Sequence, residues 1–197
     1  YEMQRSLVGS EMCIRDSHMT DEEAYSVRSL GMPYAPEHFK KLYGEDFDYD
    51  KVHTYRRKLT DQVLDERPIE AKPGAEELLK YLRKKGVRTA IATAGGVERS
   101  SSLLKRVGLY DYLDHIVSAR QVAHGKPAPD VYLYACSQLH VQPQECYAVE
   151  DSPNGIHSAY SAGCKVFMVP DLTQPDAELE KFIYKKVESL VALKEYF

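Results

Sequence analysis

From Pro73 to the C-terminus, short apolar runs alternate with stretches of helical pattern. The runs are Val87–Thr93, His115–Ala119, Cys146–Val149 and Lys165–Val169. Their apolar residues are mainly consecutive rather than alternating with polar ones, as is typical of strands buried on both faces of a sheet. Repeated strand–helix units of this kind predict an α/β fold, with a parallel sheet covered by helices on both faces.

The part of the chain before Pro73 has a different pattern. Thr20 and Glu23 form a capping box that predicts a helix ending at Gly31, and a second short helix is predicted to end at Gly44. A third, longer helix is predicted over residues 48–66. We therefore expect a small all-helical cap at residues 20–70, lying on an α/β core at residues 71–197.

Residues 1–19, "YEMQRSLVGSEMCIRDSHM", show neither a helical nor a strand period. A signal peptide is excluded because a basic start followed by a long apolar run is missing. The segment resembles translated adapter sequence or a cloning scar, so we expect it to be non-native. The alternative is a native segment in which Met12-Cys13-Ile14 forms a short strand.

Composition excludes several classes of protein. The 197-residue chain has a net charge of -4 and no basic run, which argues against a nucleic-acid surface. No apolar stretch approaches the roughly 18 residues that a membrane span needs. The four cysteines lack metal-binding or redox spacing and indicate free thiols in a reducing compartment. We expect a cytoplasmic monomer that binds neither nucleic acid nor membranes.

Polar residues follow three of the predicted strands, at the edge where open parallel sheets bind ligands. Thr93 is followed by Ala94, Gly95 and Gly96, whose small side chains let the backbone approach an anion at the next helix N-terminus. The alternative for Thr93 is a turn or capping hydroxyl.

The loop "HGKPAPD" places Lys126 before two prolines that stiffen it, so that the ammonium group is presented at a defined position. The alternative is a solvated surface lysine.

Glu150 and Asp151 follow the third strand directly. Two adjacent carboxylates in a cleft repel each other, and a bound Mg²⁺ ion would offset this repulsion because it prefers oxygen ligands. The alternative is attraction to the helix N-terminus, which explains one carboxylate better than two.

Taken in this order, Thr93, Lys126 and Glu150-Asp151 resemble the haloacid dehalogenase superfamily. The segments "GKPAPD" and "EDSPNGIHSA" resemble its subfamily of beta-phosphoglucomutase-like and related small-molecule phosphatases. The resemblance implies a Rossmann-like parallel sheet, a helical cap that selects the substrate, and Mg²⁺ as cofactor.

The resemblance also implies a role for individual residues. Thr93 and the amides of Ala94 and Gly95 would hold the phosphoryl group, and Lys126 would neutralise it, so that Thr93 and Lys126 are the catalytic candidates. Asp151 would bind Mg²⁺ directly and Glu150 through water. Two further candidates are Asn154, for phosphate binding, and Arg28, for a contact from the cap to phosphate.

The family's first motif, an apolar strand ending in Asp-x-Asp, should precede the cap and is missing. Its first aspartate is the nucleophile, and the pairs Asp16/His18 and Asp21/Glu23 do not reproduce it. In the family, this strand runs between the strands that end at Thr93 and Glu150. We therefore expect an incomplete, inactive chain with either a gap there or a makeshift strand at residues 12–14.

Two hypotheses about function follow. In the first, the parent protein is a Mg²⁺-dependent phosphatase or phosphomutase that acts on a small phosphorylated metabolite such as a sugar phosphate. In the second, the chain is a non-catalytic domain of the same fold that binds a phosphorylated ligand or a partner protein.

Overall fold

The computed structural model describes residues 20, 23, 25, 27–66 and 68–197. The helices are α1 (Tyr34–Tyr43), α2 (Tyr49–Glu66), α3 (Ala75–Lys84), α4 (Val97–Arg106), α5 (Asp130–Gln138) and α6 (Pro153–Ser161). The strands are β1 (Ala90–Thr93), β2 (His115–Ser118), β3 (Tyr147–Glu150), β4 (Lys165–Met168) and β5 (Lys185–Lys186). Within these ranges, no helix has the length and apolar character needed to cross a membrane.

All strand pairs in the described part of the chain are parallel, which confirms the predicted α/β fold. Strand β1 pairs with β2, and β3, β4 and β5 pair in that order. Among the described residues, no ladder joins β1 to β3, so the interruption lies where one of our two alternatives places a gap. The other alternative, a strand at residues 12–14, lies outside the described residues.

Helices cover both faces of β4, as predicted. Successive side chains of a strand point to opposite faces, and Val166 and Met168 belong to one apolar cluster while Phe167 belongs to another. The first cluster includes residues of α5 and α6. The second includes Leu78 and Leu82 of α3 and the C-terminal Leu193.

The acidic stretch "DAELEKFIYK", residues 176–185, predicts a short α-helix from its sequence, and this prediction is wrong. A 3₁₀ turn occupies Leu179–Phe182 and is followed by β5. Tyr184 N donates to Val166 O at 2.8 Å, and Val187 N donates to Met168 O at 2.9 Å. This segment pairs with the outer edge of β4. The free energy gained by pairing buried backbone groups outweighs the weak helix propensity of the segment. The stretch "LVALKEYF" at the C-terminus also predicts a helix, and the structure forms a 3₁₀ helix there, Val191–Tyr196.

The N-terminal helical unit has an apolar cluster of its own. Phe39 of α1 stacks on Phe47 at 5.3 Å between ring centroids, and both are buried. The capping box forms as predicted, with Thr20 N donating to Glu23 Oε2 at 2.7 Å and Glu23 N to Thr20 Oγ1 at 3.2 Å. The limits of the cap at residues 20 and 70 stay a prediction.

Phe167 of β4 provides a test of this core, because its side chain is fully buried in the cluster that includes Leu78 and Leu82 of α3. Replacing it with alanine should lower the free energy of unfolding by about 3–5 kcal/mol, since the cavity left behind adds to the lost burial. Urea unfolding followed by circular dichroism measures this change. Leu133→Ala, at an apolar position that is 45% exposed, is the control and should cost far less. Equal losses from the two variants would contradict the packing described here.

Candidate functional site

The end of β1 forms a tight turn that leads into α4. Gly95 N donates to Thr93 Oγ1 at 3.0 Å, and Ser118 Oγ at the end of β2 donates to Gly95 O at 2.5 Å. Gly96 then precedes the first turn of α4, whose N–H groups have no partner within the helix. Thr93 therefore serves as a turn hydroxyl, and it also lies beside a helix N-terminus suited to an anion.

Lys126 is buried, with 4% of its surface exposed, so the alternative of a solvated surface lysine is wrong. Its Nζ donates to Glu150 Oε1 at 2.5 Å, and the Tyr132 hydroxyl donates to the same oxygen. Burial, together with the neighbouring Glu150 charge, raises the pKa of Tyr132 well above its ordinary value. The tyrosine therefore stays protonated and remains a donor to the carboxylate.

The second oxygen of Glu150 faces the start of α6. Asp151 N lies 3.4 Å from Oε2 and Ser152 Oγ lies 3.5 Å from it. A side chain at position 155 would overlap this carboxylate, so a glycine is required there. Ser152 also caps α6, accepting from Gly155 N at 3.3 Å. Both carboxylate oxygens of Glu150 are thus held in place by neighbouring residues.

Asp151 points away from that cluster and forms an ion pair with Arg28. The guanidinium of Arg28 also donates to Thr173 Oγ1 at 3.3 Å and lies 4.0 Å from an Asp171 oxygen. Asn154 Nδ2 donates to the backbone oxygen of Arg28 at 2.8 Å. Arg28 is therefore fixed at the carboxyl end of β3, and the phosphate-binding roles of Asn154 and Arg28 stay predictions.

A pair of backbone hydrogen bonds joins the segment before α1 to the Lys126 loop. Gly31 N donates to Lys126 O at 2.8 Å, and Gly125 N donates to Met32 O at 2.7 Å. A Cβ on Gly31 would come within 2.7 Å of Gly125 Cα, so both positions need glycine. No local sequence pattern predicts this contact, because each glycine alone is typical of an ordinary loop.

A cavity of about 480 Å³ lies between the helical unit and the end of β1. Thr93 and Ala94 line it from the core, and Arg28 lines it beside them. The residues that line it from the helical unit include Phe39, Phe47, Tyr49, His53 and Arg56. Lys126 and Glu150 are not among the residues lining this cavity, so the predicted site is divided between the cavity and a buried ion pair.

Arg56 gives the wall that α2 contributes to this cavity a cationic character, and His53 lies on the same wall. Burial lowers the pKa of His53, and the charges of Arg56, Arg120 and Arg57 lower it further. The imidazole is therefore neutral at pH 7 and Arg56 carries the charge. The position of His53 and Arg56 at this cavity was not predicted from the sequence, because both residues lie inside an ordinary amphipathic helix.

The residues at the end of β3 fit a Mg²⁺ ion in part. Carboxylate oxygens are the ligand type that Mg²⁺ prefers, and one or two are often enough when substrate phosphate and water complete the shell. Asp151 fits, because its side chain is 37% exposed and the Arg28 cation could be exchanged for the ion. Glu150 fits less well, because Lys126 already neutralises it. Within the described residues, no cluster of three or more potential metal ligands is found.

The buried ion pair between Lys126 and Glu150 is expected to be important for the stability of the fold. Lys126→Met leaves the Glu150 carboxylate buried without a counter-ion and should lower the free energy of unfolding by about 3–5 kcal/mol. The double variant Lys126→Met/Glu150→Gln removes the uncompensated charge and should regain most of that loss. Chemical denaturation measures both, with the exposed Lys80→Met as control. A double variant no more stable than Lys126→Met would contradict the proposed coupling.

Comparison with known proteins places this fold and this order of residues in a family. The model of the haloacid dehalogenase-like hydrolase family matches residues 12–169. A phosphorylated carbohydrates phosphatase of Thermotoga maritima is 32% identical over 164 residues, which cover 81% of this chain and 69% of that protein. Hexitol phosphatase A of Escherichia coli is 43% identical over 101 residues, which cover 51% of this chain and 46% of that protein.

Solved structures of other proteins have the same fold as this chain. The beta-phosphoglucomutase of Clostridium difficile matches 100% of this chain and 86% of its own, with a TM-score of 0.78 at 21% sequence identity. The family match spans more than half of the chain, and the resemblance predicted from its motifs is confirmed. The chain belongs to the haloacid dehalogenase-like hydrolase family.

Proposed function

We propose that this chain is the cap and part of the catalytic core of a cytoplasmic, monomeric, Mg²⁺-dependent phosphatase or phosphomutase. Its substrate is a small phosphorylated metabolite, such as a sugar phosphate. The observation that carries the proposal is one cavity lined by Thr93 and Ala94 at a helix N-terminus and by Arg56 from the cap. Relatives named as phosphatases of phosphorylated carbohydrates and hexitols support the substrate class.

In this proposal, the residues at the end of β1 hold the phosphoryl group. Thr93 Oγ1 and the amides of Ala94 and Gly95 donate to its oxygens, and the N-terminus of α4 favours its negative charge. Lys126, oriented by Glu150, contributes positive charge behind the phosphoryl oxygens. Asp151 is the metal-ligating carboxylate, and bound Mg²⁺ would neutralise charge that develops on the phosphoryl oxygens.

The chain as given lacks a nucleophile in this proposal. Thr93 Oγ1 already accepts from Gly95 N, and no general base contacts it among the described residues. Glu150 and Asp151 are each paired with a cation. Removal of a nucleophile from a hydrolase can lower turnover by a factor on the order of 10⁶. We therefore expect no measurable turnover from the unmodified chain.

The pairing of both carboxylates with cations also favours a second candidate function. A site whose charges are already balanced is stable without a metal ion, as expected of a domain that binds a phosphorylated ligand without converting it. This non-catalytic domain would still use the cavity beside Thr93.

A paired assay separates the two functions. The chain as given and a version with an apolar strand ending in Asp-x-Asp placed before Thr20 are tested on sugar phosphates and an aryl phosphate, with and without Mg²⁺. We expect Mg²⁺-dependent release of phosphate only from the completed version, and its loss on Asp151→Asn. Turnover by the unmodified chain that Asp151→Asn abolishes would show that the nucleophile has been misplaced. Inactivity of both versions would favour the binding domain.

The role of the cap can be tested by ligand binding alone. Arg56 lines the cavity and is half-buried, whereas its neighbour Arg57 is exposed and does not line it. Arg56→Gln should weaken binding of glucose 6-phosphate by about tenfold, because a charge-assisted contact is lost. Isothermal titration measures the affinity, with Arg57→Gln as the matched control. Equal effects of the two substitutions would indicate a general charge effect and contradict the assignment.

A further inference from the structure

A group of cysteines lies at the end of the sheet opposite to the candidate functional site. Cys146 directly precedes β3, Cys164 directly precedes β4, and Cys136 lies near the end of α5. Cys136 and Cys164 are buried in the apolar cluster of α5 and α6, and Cys146 packs against it and is partly exposed. Because Glu150 lies at the other end of β3, the proposed phosphoryl chemistry does not use these thiols.

The sulfur atoms of Cys136 and Cys146 lie 3.5 Å apart. Both backbones are fixed, since Val141 N donates to Cys136 O at 3.1 Å and Lys165 N donates to Cys146 O at 3.0 Å. A disulfide bond is about 2.05 Å long, so the two sulfur atoms would have to approach each other by about 1.5 Å. Rotation of the two side chains about their Cα–Cβ bonds supplies a movement of this size without displacing the backbone.

We propose that Cys136 and Cys146 form a reversible disulfide site that a small hydroperoxide, such as hydrogen peroxide, oxidises. Cys146 is the entry point, because it is the partly exposed thiol of the pair. A link between Cys136 and Cys164 is disfavoured, because their exposed fractions are only 4% and 6% and neither offers the oxidant an accessible sulfur.

The reaction has two steps. The Cys146 thiolate attacks one oxygen of the peroxide, the O–O bond breaks, and a sulfenic acid and a hydroxide ion form. The sulfur of Cys136 then attacks the sulfenic sulfur, the S–O bond breaks, and the departing oxygen leaves as water with the Cys136 proton. In total, the two thiols lose two electrons and two protons, and one hydrogen peroxide molecule becomes two molecules of water.

The surroundings of these thiols make the reaction slow at pH 7. Burial, with contributions from Cys136 and Glu145, raises the pKa of Cys146 to about 12, and the charge of Arg88 lowers it in part. A contact with Cys164, together with burial, raises the pKa of Cys136 as well. Because the thiolate is the reacting form, the oxidation rate should rise about tenfold per pH unit below this pKa.

The disulfide would join α5 to the start of β3. The opposite ends of these two elements are already joined, because the Tyr132 hydroxyl of α5 donates to Glu150 at the end of β3. Oxidation therefore fixes α5 to β3 at both ends, and the closed loop between the two cysteines lowers the entropy of the unfolded chain. We expect the oxidised protein to unfold at a higher urea concentration than the reduced protein.

Peptide mapping of the full chain tests the proposal. Cys13 is replaced by serine, so that only the three thiols of this group remain, and the protein is treated with hydrogen peroxide. Cleavage after Glu145 places Cys136 and Cys146 on separate peptides, which mass spectrometry without reductant detects as one linked species. We expect this link, and its complete reversal by dithiothreitol. A link between Cys136 and Cys164 instead, or oxidation without any link, would overturn the proposal.

The dependence on pH and a matched pair of variants provide the second arm. The rate of link formation should rise about tenfold per unit between pH 7 and pH 9, whereas a rate that levels off near about pH 8.5 would indicate an ordinary exposed thiol and overturn the proposal. Cys146→Ser should abolish both the link and the increase in the urea midpoint, and Cys164→Ala should still form the link. Equal behaviour of the two variants would contradict the choice of Cys146 as the partner of Cys136.

Discussion

The buried contact between Lys126 and Glu150 holds the functional end of the molecule together. Both charges are largely removed from water, so each depends on the other and on the Tyr132 hydroxyl for its stability. The contact fixes the loop after β2 to the end of β3. The backbone of the same loop pairs with Gly31, so the position of the cap also depends on it.

This arrangement separates two tasks that the sequence motifs do not distinguish. The cavity beside Thr93 is lined by Arg28 and Arg56, whereas Lys126 and Glu150 do not line it and form a buried ion pair. Asp151 is the more accessible carboxylate, and Arg28 satisfies its charge. A metal ion at Asp151 would compete with that arginine, which links metal binding to the position of the segment leading into the cap.

The described part of the sheet consists of two separate parallel ladders, with no strand between β1 and β3. Each half keeps its own ladder, and one apolar cluster, which includes residues of α5 and α6, joins Val117 of β2 to Ala148 of β3. Among the described residues, the facing edges of β1 and β3 have no partner strand, and buried backbone groups without partners are unfavourable.

Local patterns in the sequence determined the α/β class, four of the five strands and the ends of most helices. They work because continuous apolar runs, glycine stops and the Thr20–Glu23 capping box act over a few residues. The motifs also identified Thr93, Lys126, Glu150 and Asp151 as residues at strand ends. Only the tertiary structure decided that Lys126 binds Glu150, that Arg28 binds Asp151 and that Arg56 and Thr93 line one cavity. These contacts join residues far apart in the chain, and β5 forms only because the edge of β4 was free, so no local pattern could have specified them.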